Sequence, residues 1–197
     1  MESTAHDHQA HQHHHHEMPT EGSALTRVAI EATLHCLTGC ALGEIAGMVI
    51  GTALGFSNGG TVALSIALAF LFGYGLTSLP LLRAGLPMRR VVRVAFASDT
   101  LSITTMEIVD NLIVLAVPGA LAAGLGSWLF WGSLSFSLAV AATIAMPVNR
   151  WLIARGRGHV AVHETGVHGG PSPKLVGAVA AGMGLFGAVV LIAEAAS

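Results

Sequence analysis

The sequence predicts an all-α, polytopic membrane protein in which about five helices cross a lipid bilayer. Of its 197 residues, 53% are hydrophobic and 10% are charged, whereas soluble domains carry roughly 25% charged residues. Uncharged apolar runs of about 20 residues, the length that a spanning helix needs, recur along the chain. The 24 glycines suit helices that pack closely in lipid. A soluble fold is therefore excluded. Because no basic patch is interleaved with aromatic residues, we expect no nucleic-acid binding.

Residues 1–27 form a polar segment ahead of the predicted spans. Seven histidines lie between His6 and His16, and such a biased tract cannot build a core, so we expect a disordered, His-rich cytoplasmic leader. The interruptions between the histidines favour a native metal-rich tail over an expression tag. The loop histidines His159, His163 and His168 are expected on the same side, and like the tract they could buffer zinc, copper or nickel. Residues 28–195 are predicted to form a five-helix transmembrane domain, with spans at about 28–54, 61–82, 94–117, 127–148 and 175–193.

The basic residues orient these spans. With five spans, all nine fall on one side of the membrane, which the positive-inside rule assigns to the cytoplasm. We therefore expect a multi-pass protein of the cell (inner) membrane, with the amino terminus in the cytoplasm and the carboxyl terminus outside. We also expect the three tryptophans, Trp128, Trp131 and Trp151, in the interfacial belts. The nine basic residues are Arg27, Arg83, Arg89, Arg90, Arg93, Arg150, Arg155, Arg157 and Lys174.

The first predicted span carries glycines at every fourth position. Such spacing places small residues on one helix face, where another backbone can approach closely. Five spans are few for a transporter, so the sequence predicts that this face holds a homo-oligomer together. The glycines of the face are Gly39, Gly43, Gly47 and Gly51.

Beside the glycines runs a second stripe of chemically active side chains: His35, Cys36, Cys40, Glu44 and Met48. An ionised side chain in the middle of a span costs at least about 2.5–3.5 kcal/mol and usually marks a pathway or site, so Glu44 is the strongest single candidate. Thiolate, thioether and imidazole groups suit Cu(I) or Zn(II). The alternatives are a protonated Glu44 bonded to a neighbouring helix and cysteines that act as small hydrophobes. A disulfide within Cys-x3-Cys on one helix would be strained, so we expect free thiols.

The third predicted span contains a matching polar group: Asp99, Met106, Glu107, Asp110 and Asn111. Counted from the starts of their spans, Asp110 and Glu44 lie at the same depth, so the two groups should meet near the middle of the bilayer. No lysine or arginine lies deep in a span to offset the acids, and protonation or bound cations must therefore neutralise them. For Asp99, which lies near the cytoplasmic end, pairing with Arg93 is the simpler alternative.

Around HCLTGCALGEIAGM, MEIVDN and MPVNRW, the sequence resembles a family of small bacterial membrane proteins classed as a domain of unknown function. The resemblance covers roughly residues 28–195, carries the signature HCxxGCxxGExxGM, and leaves the His-rich leader outside. Members of the family are sometimes labelled copper-related. The resemblance thus implies a helical membrane fold and copper handling, without implying a reaction.

Together, these patterns predict a membrane protein that handles a copper or zinc ion, as a transporter or permease-like module. The alternatives are a membrane thiol redox protein and a non-catalytic membrane assembly protein. A Walker loop, a GxSxG elbow and an HExxH helix are all missing, which disfavours an enzyme. The predicted metal ligands are His35, Cys36, Cys40, Met48 and Met106. The predicted proton or cation pathway comprises Glu44, Asp99, Glu107, Asp110 and Asn111.

Overall fold

The computed structural model describes residues 21–167 and 173–196, and this part of the chain is helical without any strand. Residues 1–20 of the predicted leader and the loop residue His168 lie outside the described residues. A short 3-10 turn, Ala120–Ala122, precedes the fourth helix. The α-helices are α1 (Gly22–Ala53), α2 (Asn58–Arg83), α3 (Met88–Ala116), α4 (Trp128–Ala154), α5 (Val160–His163) and α6 (Pro173–Ala195).

Four helices are long and apolar enough to cross a membrane: α1, α2, α4 and the part of α6 from Lys174 to Ala193. At a rise of 1.5 Å per residue, a helix of the 32 residues of α1 is about 48 Å long, which exceeds the roughly 30 Å hydrocarbon core of a bilayer. The predicted fold class, an all-α polytopic membrane protein, is confirmed.

Helix α3, the third predicted span, is not among the four because acids and arginines lower its hydropathy. Its burial pattern is nevertheless inverted relative to a soluble amphipathic helix. Asp99 and Asp110 are 0% and 2% exposed, while Phe96, Ile108 and Leu112 are 56–61% exposed. A helix that hides carboxyl groups and presents large apolar side chains outward is suited to a lipid environment. The fifth span stays a prediction that this pattern supports.

Three predicted boundaries differ from the helices by six residues. Helix α1 begins at Gly22 rather than at residue 28, so the end of the predicted leader is helical, and α3 begins at Met88 rather than at residue 94. Helix α4 continues through Pro147 to Ala154, beyond the predicted end of the fourth span at residue 148. Proline removes one backbone hydrogen bond, but packed membrane helices tolerate the loss because neighbouring groups compensate for it.

The glycine face of α1 packs against α2 of the same chain, so the predicted homo-oligomer contact through this face is wrong. The two helices are antiparallel, and each glycine meets a small residue of α2. A Cβ atom on Gly39 would lie 2.7 Å from Cα of Gly73, closer than real Cβ contacts allow. The backbones thus approach closely, as the spacing predicts, but within one molecule. The remaining pairs are Gly43 with Ala69, Gly47 with Ser65, and Gly51 with Thr61.

The antiparallel bundle gathers all nine lysine and arginine residues at one end, which we call the basic end. They lie near the starts of α1, α3 and α6 and near the ends of α2 and α4, and all are exposed. Arg150 Nη1 donates a hydrogen bond of 2.7 Å to Thr26 Oγ1 across this end. The segment around α5 covers it, with Val160 packed against Leu25 in one buried cluster. We call the opposite end the pocket end.

Only two of the three tryptophans are exposed, as the predicted interfacial belts require. Trp128 and Trp151 are exposed near opposite ends of α4. Trp131 is buried, and its ring N–H donates to the backbone carbonyl of Leu125 at 2.8 Å. Its predicted belt position is therefore wrong, because a partner for the indole N–H exists inside the fold.

Candidate functional site

The carboxyl groups of α3 face α1 in the middle of the bundle. Glu107 lies beside both Glu44 and Cys40 and interacts with them electrostatically. Glu44 and Glu107 are 9% and 5% exposed. The predicted meeting of the polar groups of the first and third spans is confirmed, although more than 60 residues of sequence separate them.

Serine residues of the two other central helices complete this acidic cluster. Ser137 of α4 donates a hydrogen bond from its hydroxyl to Asp110 Oδ1. Ser65 of α2 donates from Oγ to the backbone carbonyl of Glu44 at 3.4 Å. Residues of α1, α2, α3 and α4 therefore all contact the cluster, which lies at the centre of the bundle.

The cluster has too few hydrogen-bond donors for three ionised acids. Within the described residues, Glu44 Oε1 and both carboxyl oxygens of Glu107 are buried without a hydrogen-bond partner. Nearly all buried polar atoms in folded proteins have a partner, and neighbouring carboxylates repel one another. A shared proton or a bound cation would satisfy these oxygens.

A small, partly enclosed pocket lies beside the acids, on the side of the cluster that faces the pocket end of the bundle. Glu44 and Asp110 line its inner part, and Met48, Asn111 and Ser133 also line it. The side-chain amide of Asn111 donates to the backbone carbonyl of Glu107 at 2.9 Å, which leaves its amide oxygen available. The pocket thus adjoins the acidic cluster on the side nearer this end of the bundle.

The two cysteines lie deeper, between the acidic cluster and the basic end. Cys36 and Cys40 are free thiols, 0% and 1% exposed, and Cys36 lies beside Ser102. Met106 is buried in the same apolar core. Because the thiols are sealed from solvent and unpaired, the structure gives no support to thiol redox exchange, which requires access of a second thiol or disulfide.

Near the basic end, Thr77 of α2 joins His35 of α1 to Asp99 of α3. Its hydroxyl lies 2.6 Å from Asp99 Oδ2 and 2.8 Å from His35 Nε2. A threonine hydroxyl has one hydrogen, which it donates to the carboxylate, so His35 donates from Nε2 and keeps a lone pair on Nδ1. Ser98 Oγ donates to Asp99 Oδ1 at 2.7 Å. The suggested pairing of Asp99 with Arg93 is wrong, because these hydroxyls already satisfy the buried carboxyl group.

His159, from the segment between α4 and α5, completes this second cluster. Its Nδ1 lies 3.4 Å from Asp99 Oδ1, and its ring meets the ring of His35 edge-on, with centroids 4.9 Å apart. Burial, together with smaller contributions from the nearby His35 and His163, lowers the pKa of His159 to about 3. A neutral imidazole results, which can act as a metal ligand.

The predicted soft-metal ligands do not form one coordination group. Among the described residues, the His, Cys, Asp and Glu side chains whose ligand atoms lie within 4.8 Å of one another are His35, Asp99 and His159. Neither cysteine joins them, and Met48 lies at the pocket instead. Predicting ligands from one helix face misses side chains that other elements contribute.

Thr77, Ser65 and Ser137 belong to the site but were not predicted from the sequence, and His159 was expected only as a loop histidine that could buffer metal. A signal for two of them exists, because Ser65, Ala69, Gly73 and Thr77 repeat the four-residue spacing of the glycine stripe on the second predicted span. His159 has no comparable signal. Its place depends on how a loop folds back onto the bundle.

Comparison with known families identifies the fold unit. A family described as Domain of unknown function (DUF4396) matches residues 26–158. The chain belongs to this family. The match covers nearly all of α1 and the whole of α2, α3 and α4, including the acidic cluster, and it ends one residue before His159. No curated protein and no solved structure matches the chain. Membership of DUF4396 therefore identifies the helical unit but no activity.

Proposed function

We propose that this protein carries a transition-metal cation, copper or zinc, across the membrane. The observation that supports the proposal is a continuous row of buried and half-buried side chains able to bind a metal, running from the pocket to the basic end, which we call the polar column. Its members, from the pocket inward, are Asn111, Asp110, Glu44, Glu107, Cys40, Cys36, Asp99, His35 and His159.

Each member of the column lies near the next. Asp110 and Glu44 interact electrostatically, and Glu107 lies beside Glu44 and Cys40. Cys36 interacts with Cys40 on one side and with Asp99 on the other. A cation that enters through the pocket would therefore find another side chain able to bind it at each step along the column.

The charge balance of the column favours a cation as the transported species. Four acids are buried among the described residues, whereas every lysine and arginine is exposed. Buried carboxylates without a counter-charge carry a large desolvation cost, and a metal cation or protons would offset it. The thiols and imidazoles of the column favour borderline or soft metals over Mg²⁺ or Ca²⁺, which prefer oxygen ligands alone.

The exposed arginines and the inverted pattern of α3 support a five-span arrangement in the cell (inner) membrane. In the proposed orientation, the basic end and the amino terminus face the cytoplasm, and the pocket opens outside. The His-rich leader would then lie on the side to which the column leads, where its imidazoles could bind arriving metal.

Metal uptake into proteoliposomes tests this function. Vesicles with a trapped metal-sensitive dye, containing the full-length protein, should show zinc or copper entry above that of empty vesicles. Glu44→Gln and Glu107→Gln should each lower the uptake rate strongly, because they remove charge from the middle of the column. Glu31→Gln is the matched control, since Glu31 lies on the same helix as Glu44 but is exposed. Uptake equal to that of empty vesicles, or unchanged uptake in both column variants, would refute the proposal.

A further inference from the structure

We propose that His35, Asp99 and His159 form a binding site for a divalent transition metal, and that the bound metal fastens the α4–α5 segment to the basic end. The inference rests on the proposed metal handling and adds a defined site to it. Two ligands belong to long helices, α1 and α3, whereas the third belongs to a loop.

The spacing of the three groups suits one metal ion. Ligand atoms about 2.0–2.2 Å from a tetrahedral zinc ion lie roughly 3.3–3.6 Å apart. Nδ1 of His159 and Oδ1 of Asp99 are already 3.4 Å apart, and all three ligand atoms lie within 4.8 Å of one another. A small inward movement of His35 would bring it to ligand distance.

The hydrogen bonds around the site leave one ring nitrogen of each histidine without a partner. Nδ1 of His35 and Nδ1 of His159 are both buried without a hydrogen-bond partner among the described residues. Thr77 holds His35 in the tautomer that keeps this Nδ1 unprotonated. Metal-binding histidines are typically oriented in this manner, with the other ring nitrogen donating to a protein acceptor. The unpaired, buried nitrogens therefore point to a ligand rather than to a packing role.

The chemistry of the three ligand groups determines which metals the site is suited to bind. Two imidazoles and one carboxylate suit borderline divalent ions such as zinc or cobalt, whereas Cu(I) prefers sulfur ligands. Three protein ligands leave a fourth position open, as in metal sites that exchange their contents. The site is thus suited to hold a divalent ion at one end of the polar column and to release it.

Because His159 lies in a loop, a metal bound at the site would restrain the movement of that loop. Gly158, with φ +65°, turns the chain immediately before His159 and packs on Leu152. Arg155 and Arg157 lie just before this turn and are exposed. A metal ion ligated by His159 would restrain the segment, and its loss would free the segment to move away from the bundle.

Cobalt binding to the purified full-length protein tests the site. To remove competing ligands, the seven leader histidines from His6 to His16 are replaced by serine in every variant. We expect one Co(II) per chain, with the visible absorption of a four-coordinate site, displaced by zinc. His159→Asn and Asp99→Asn should weaken binding at least tenfold, because loss of even a residue that only supports a metal ligand typically costs about 10–100-fold in affinity. Glu164→Gln, at an exposed position of the same segment, is the control and should bind as before.

Trypsin digestion provides a second readout that a merely structural role would not alter. Added zinc should slow cleavage after Arg155 and Arg157 in the parent protein, but not in His159→Asn. Equal cobalt affinity in the parent and His159→Asn, or cleavage that zinc leaves unchanged, would overturn this site. If uptake depends on Glu44 while cobalt binding does not depend on His159, only the site is wrong. If cobalt binds here but vesicles take up no metal, transport is wrong and the site stands.

Discussion

Replacing Gly43 with alanine should destabilise the bundle, although alanine is the better helix former. In the α1–α2 contact, a Cβ atom on Gly43 would overlap the backbone and the side chain of Ala69. No side-chain rotation relieves contact with backbone, so the two helices must separate. The control is Gly75→Ala on α2, because a Cβ atom there meets nothing within 4 Å.

The loss of stability expected for Gly43→Ala can be estimated from how closely α1 and α2 approach each other. At the neighbouring Gly39, the added carbon would lie 2.7 Å from Gly73, whereas ordinary contacts begin at 3.4 Å. The helices would need to separate there by the difference, 3.4 − 2.7, or about 0.7 Å, and by more at Gly43. Overpacking of this kind typically costs about 1–3 kcal/mol. Because both variants exchange glycine for alanine in a helix, a gain of up to about 1 kcal/mol from helix propensity cancels in the comparison.

The assay is unfolding of purified protein in mixed micelles, followed by circular dichroism as denaturing detergent is added. Gly43→Ala should have a free energy of unfolding about 1–3 kcal/mol below that of Gly75→Ala. Equal values would refute the packing argument. They would show that α1 and α2 do not approach as closely as the structure places them.

Three further predictions concern other parts of the bundle. A single cysteine at Gly59, in an otherwise cysteine-free chain, should react with a membrane-impermeant thiol reagent from outside the cell; labelling only from the cytoplasmic side would contradict the proposed orientation. Asn149→Ala should lower the free energy of unfolding in micelles by about 1 kcal/mol, because the buried amide donates to Thr33 Oγ1 at 2.9 Å; unchanged stability would contradict that role. Ile108→Lys should reduce the membrane-integrated yield, since a central lysine in lipid costs at least about 2.5–3.5 kcal/mol, whereas Val92→Lys, exposed near the basic end, should not. Equal yields would argue against α3 as a span.

Much of the site can be predicted from the spacing of residues along the sequence. The depth of Glu44 and Asp110 along two spans running in the same direction is a property of the sequence, so their meeting in the bundle could be predicted. The close approach of a backbone to Gly43 could be predicted for the same reason. What occupies that face could not be read from the glycines, since a second copy and a neighbouring helix fit small residues equally well.

Other features depend on tertiary structure that no local pattern records. His159 reaches Asp99 because a glycine turn directs a loop back over the basic end. The separation of His35 from the thiols depends on Thr77, which fixes the imidazole on the side of α2. Grouping His35 with Cys36 from adjacency in sequence was therefore misleading, because successive residues on a helix point about 100° apart.

The glycine-lined contact between α1 and α2 limits how the molecule can change shape. Because only small side chains separate the two backbones, α1 and α2 behave as a single rigid body. Sliding one helix along the other would bring Ala69 into collision with residues of α1. Any widening of the space between Glu44 and Asp110 must therefore come from α3 and α4 swinging relative to the α1–α2 pair. The hinges for such a swing are the connections between α2 and α3 and between α4 and α5, and the second of these carries His159.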